Sequence, residues 1–139
     1  MRKGWVFSPH SGGKNIPPRV REAVKERLEK HAAKNYSGRY THLEISFRGA
    51  LCYLDAFIEP ESPSRSLLKA TGETKEEYLN RLRSVPVRLG RLRYFGDDRW
   101  SYAFYTYSNE KYEPTLFPTG DWFGAPEEAF DVGAAYLRV

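Results

Sequence analysis

Between Thr41 and Ile58 the apolar side chains fall on alternate positions, and a Gly49-Ala50 step divides the run in two. Leu43, Ile45 and Phe47 precede the step, and Cys52, Leu54, Ala56 and Ile58 follow it. A spacing of two places side chains on one face of a strand and is incompatible with a helical stripe. Glycine in the first loop position suits a two-residue type II′ hairpin turn. That turn fixes the pairing. Phe47, Ile45 and Leu43 then face Cys52, Leu54 and Ala56 on the inner side, while Glu44, Ser46 and His42 face Asp55, Tyr53 and Phe57 on the outer. A hairpin with one apolar face needs a second layer to bury it, so helices or another sheet must cover that side.

The rest of the chain supplies helices. Pro17 and Pro18 open one, because a missing N–H costs least in the first turn. Its stripe runs through Val20, Val24 and Leu28 to His31 or Ala32, and it ends near Asn35. Thr74 followed by Glu77 matches a capping box, and Pro86 stops the helix it begins. Pro126 with Glu127 and Glu128 opens a third, with Phe130, Ala134 and Leu137 facing inward. Residues 59–73 break both periodicities and read as a long mobile loop. Val87–Tyr94 and Arg99–Tyr107 read as strands joined around Gly96-Asp97-Asp98, and Trp5-Val6-Phe7 as a short fifth strand. The expected architecture is a single α+β domain across all 139 residues. Its mainly antiparallel sheet of four or five strands carries an N-terminal, a middle and a C-terminal helix on one face.

Composition narrows the setting. One cysteine, Cys52, cannot close an internal disulfide, which suits a reducing, cytoplasmic compartment. No stretch approaches the roughly 20 apolar residues that span a bilayer, so no membrane partner is expected. A net charge of +4 and a pI near 9.2 permit a polyanionic partner. Three histidines at 10, 31 and 42 show no zinc spacing, and Lys14 is followed by Asn15 and not by the Ser or Thr of a P-loop. No cofactor or metal is expected.

Between Arg81 and Tyr107 lie six arginines and seven aromatics. Val87 and Leu89 have one parity, Leu92 and Tyr94 the other, so a regular strand cannot bury both pairs. A bulge near Gly90-Arg91 would repair the conflict. Arg88, Arg91 and Arg93 would then emerge on the outer face beside Tyr105 and Tyr107. Guanidinium groups and aromatic rings side by side can hold RNA or single-stranded DNA. The glycine loop of Gly12, Gly13 and Lys14, leading to a helix N-terminus, would assist as an anion contact.

Two other readings compete for the same surface. Glu44 and Asp55, directly opposite, repel unless something compensates. They could work as an acid–base pair with His42 or His10, metal-assisted or not, in a hydrolytic enzyme. Neutralisation by Arg88, Arg91 or Arg93 would make them a structural network. Finally, the outer face could serve a protein partner or a homodimer.

Overall fold

The computed structural model describes residues 11–137. The expected strand at 5–7 and His10 lie outside the described residues. The elements run α1 (Pro18–Asn35), β1 (His42–Arg48), β2 (Leu51–Phe57), α2 (Arg65–Thr71), α3 (Lys75–Arg83), β3 (Val87–Tyr94), β4 (Trp100–Thr106), β5 (Lys111–Thr115) and α4 (Pro126–Gly133). The five strands form one antiparallel sheet in the order of the chain. This is the expected α+β domain.

Alternation in β1 and β2 translates directly into register. His42 pairs with Phe57, Glu44 with Asp55 and Phe47 with Cys52. Gly49 has φ +60 while Ala50 stays at negative φ, the sign pattern of a type II′ turn.

The parity conflict in β3 is resolved by a bulge. Leu54 pairs with Gly90 but Asp55 pairs with Arg88, so Leu89 has no counterpart on β2. Gly90 sits at φ +138, a region closed to other residues. Because of the extra residue, Leu89, Leu92 and Tyr94 all turn inward. The hydroxyl of buried Tyr102 donates to the Leu89 carbonyl at 2.5 Å and fills the space above Gly90.

Asp55, Ser101 and Ala103 are buried on the outward face, whereas the sheet residues of the main core cluster have the inward parity: Ile45, Cys52, Leu54, Ala56, Leu89, Leu92, Tyr94, Trp100 and Tyr102. Val24, Leu28 and Ala32 of α1 and Ala129 and Phe130 of α4 close over them. Each large apolar side chain buried this way contributes about 1.5–3 kcal/mol. Arg27 fastens the layer by reaching Glu127 of α4 at 2.8 Å and Asp98 of the β3–β4 turn at 2.7 Å. His31 lies at the margin of the core and bonds Asp131 at 2.7 Å. Burial pushes the Cys52 thiol well above its usual range, leaving it an inert core residue.

Two segments differ from expectation. Residues 65–71, expected within a mobile loop, form α2: the Ser64 side chain accepts from the Leu67 N–H at 3.1 Å, and the helix closes at Gly72. None of its residues is buried, so no apolar stripe announced it. The fifth strand of the described sheet is β5, in a stretch to which the sequence pattern assigns no element. Pro114 argues against a central strand but not against an edge, which is where β5 lies.

Candidate functional site

The outward face of the sheet is polar and partly solvated. The bulge sets its centre by placing Arg88, Arg91 and Arg93 along β3 opposite Asp55, Tyr53 and Leu51 of β2. On the other side β4 contributes Ser101, Ala103 and Tyr105, and β5 sets Tyr112 opposite Tyr105. A column of guanidinium groups therefore runs between aromatic rings on both sides.

The rings touch in series. Tyr53 meets Tyr112 edge-on with centroids 5.6 Å apart, Tyr112 meets Tyr105 at 4.9 Å, and Tyr105 meets Tyr107 at 4.8 Å. Arg91 lies over the Tyr112 ring at 5.2 Å and Arg88 over Tyr105 at 6.0 Å. Such contacts hold a cation in place while leaving its outer N–H groups to a ligand. Tyr107 is 47% exposed, and its hydroxyl accepts the backbone N–H of Arg88 at 2.8 Å, fixing the end of the row.

The carboxylates lie beside this column. Glu44 is exposed on β1, and Asp55 is only 7% exposed on β2. Arg88 donates to Asp55 Oδ2 at 3.1 Å, the contact that the structural-network reading requires. Among the described residues, the buried Asp55 Oδ1 has no hydrogen-bond partner. Burial raises the Asp55 pKa above the usual carboxylate range; Arg88 opposes the shift and Glu44 adds to it. The same buried setting, with the Asp55 charge nearby, pushes the Tyr112 phenol up to about 12.

The remaining candidates are more dispersed. His42 stacks its ring on Phe57 at 4.4 Å. Among the described residues no group of three His, Cys, Asp or Glu side chains is disposed to share a metal ion. The Gly12–Lys14 segment runs beside the end of β3: the Lys14 N–H donates to Tyr94 O at 2.8 Å, and Gly12 O accepts from Arg93 Nη1 at 3.0 Å. It therefore reaches the arginine column at Arg93, with the Lys14 side chain lying against Gly96. Burial lowers the Arg93 pKa, as does the neighbouring charge of Arg91. Arg91 makes no ion pair with a carboxylate among the described residues.

Tyr53 and Tyr112 belong to the row but were not among the expected site residues. Tyr53 was legible, since its parity puts it on the outer face. Tyr112 was not, because the strand that orients it contains Pro114. No helix of the described residues is long and apolar enough to cross a membrane. No protein-family model, curated protein or solved structure matches this chain.

Proposed function

We propose that the outward sheet face is a binding platform for single-stranded nucleic acid, with RNA or single-stranded DNA held across β3. The observation that supports it best is Arg91. It is aligned with Arg88 and Arg93 by the bulge, lies over the Tyr112 ring, and has no acidic partner among the described residues. In this reading Arg91 carries the leading phosphate contact. Arg88 contributes when a phosphate competes with Asp55 for its guanidinium. The tyrosines stack on bases, which a duplex would keep hidden between base pairs.

Fluorescence anisotropy with short labelled single strands, titrated from low to high salt, tests this. Affinity falls with rising salt, and Arg91→Ala lowers both the affinity and the salt slope, the slope by about 0.7 for one lost phosphate contact on a single strand. Tyr112→Leu weakens binding by about 1–3 kcal/mol if a base stacks there. Absence of salt-sensitive binding, or an unchanged slope in Arg91→Ala, removes the proposal.

A further inference from the structure

The sheet ends in two unlike edges. At one, β5 is short and carries Lys111 and Pro114, two devices that keep an edge from pairing with another chain. At the other, β1 has seven residues, contains neither lysine nor proline, and runs in unbroken register with β2. The two-residue turn makes Arg48 and Leu51 a hydrogen-bonded pair. Alternation along β1 then aims the backbone groups of Leu43, Ile45 and Phe47 away from β2. Among the described residues no other strand pairs with them and no loop backbone bonds them.

The side chains of this edge are also incomplete. Glu44, Ser46 and Arg48 are exposed on the outward side, and Leu43 and Phe47 are half-buried on the inward side. Glu44 faces Asp55, but the compensating guanidinium of Arg88 pairs with Asp55. Neither Glu44 nor Arg48 has an ion pair among the described residues. Four residues apart in one strand, they are separated by about 14 Å and cannot meet each other.

We infer that β1 pairs antiparallel with β1 of a second copy, about a two-fold axis at Ser46. A register centred on Glu44 would set the two glutamates against each other, and one centred on Ile45 would set His42 against Arg48. Centring on Ser46 instead puts Glu44 of each copy opposite Arg48 of the other. These fall in non-hydrogen-bonded pairs, where side chains approach most closely. On the inward side Ile45 meets Phe47, and their unpaired backbone groups bond across the axis. The acid that Asp55 repels thus gains its cation, and the contact closes on itself. The axis stands normal to the sheet, so both outward faces point the same way. Their arginine columns lie five strand spacings, about 24 Å, apart. This inference stands apart from the single-strand reading, because the outward face stays open.

Sedimentation equilibrium of the full chain from about 1 µM to about 1 mM tests it, a range suited to a contact one strand wide. The mass rises from 16.1 kDa toward twice that value. Glu44→Arg and Arg48→Glu, both at exposed positions, each set like charges opposite one another twice in the contact and weaken association by about tenfold or more. Mixed together, the two variants associate again as a heterodimer, since every charge meets its opposite. A parent chain that stays monomeric to the top of that range overturns the inference. So does a dimer that both single variants leave intact, or one that mixing fails to restore, because Glu44 and Arg48 then do not face each other.

Discussion

Replacing Gly90 with alanine tests the device that builds the face. Gly90 lies at φ +138, where an alanine is strained by about 1–3 kcal/mol. Its new methyl group would also fall 2.6 Å from the Tyr102 hydroxyl oxygen and 2.7 Å from the ring carbon bearing it. Tyr102 is 1% exposed and bonded to the Leu89 carbonyl, so it cannot step aside. Overpacking of that kind costs about 1–3 kcal/mol more. Together the two effects amount to about 4 kcal/mol, a drop in Tm of about 14 °C for a chain of this length. Gly38→Ala is the matched control. Gly38 has φ +87, yet a Cβ there meets nothing within 4 Å, so only backbone strain of about 1 kcal/mol remains. Thermal melts followed by circular dichroism measure both. If Gly90→Ala melts no lower than Gly38→Ala, the packing of Tyr102 against the bulge does not hold it in place, and the reasoning fails. A folded Gly90→Ala that binds single strands like the parent would likewise separate the bulge from the site.

Three further outcomes concern stability. Asp55→Asn stabilises the protein at pH 7 by about 1 kcal/mol, since a desolvated, half-satisfied carboxylate is replaced by a neutral amide and the pair lost is to a partly exposed arginine. Because the folded-state pKa of Asp55 is raised, the difference is full above that value and shrinks as pH falls through it, vanishing below the unfolded carboxylate pKa. Urea melts across pH check this, and a gap that widens in acid would reverse the sign. Arg27→Met costs about 1 kcal/mol at pH 7. Burial raises the pKa values of Glu127 and Asp98, but the hydrogen bonds and charge of Arg27, with the Trp100 N–H on Asp98 and a backbone N–H on Glu127, hold both below the usual range. This loss therefore shrinks as the two acids protonate in the acid range. The same urea series measures it. Thr74→Ala removes the side-chain acceptor of the Glu77 N–H, one half of a reciprocal cap, lowering stability by about 1 kcal/mol as read from the urea midpoint.

Much of the scaffold was legible because one physical rule acted alone at each place. Strict alternation around Gly49-Ala50 fixed a register that put Glu44 against Asp55. Conflicting parity between Val87-Leu89 and Leu92-Tyr94 demanded a bulge near Gly90 and so placed Arg88, Arg91 and Arg93 together. Thr74 and Pro126 marked helix starts by their hydrogen-bonding needs. The signals failed where local chemistry and tertiary context diverged. Residues 65–71 become helical through a serine cap with no apolar face to reveal it, and Lys111–Thr115 becomes a strand because an edge tolerates Pro114. Which side chains pair was also hidden. Alternation shows that Asp55 and the arginines share a face, but not that Arg88 reaches the acid while Arg91 settles on Tyr112.

Gly133, in the last turn of α4, lies so close to the Leu89 carbonyl that even a methyl group would collide with it. The kink that aligns the arginines is therefore clamped from behind by a segment made more than 40 residues later in translation. Before that segment docks, the kink is held by strand pairing and the Tyr102 hydroxyl but lacks its support from α4. The surface accordingly gains its full support only once α4 docks, and shortening the chain from its C-terminal side would loosen the arginine alignment and also remove Tyr136, which bonds the Tyr105 carbonyl and packs on Tyr107.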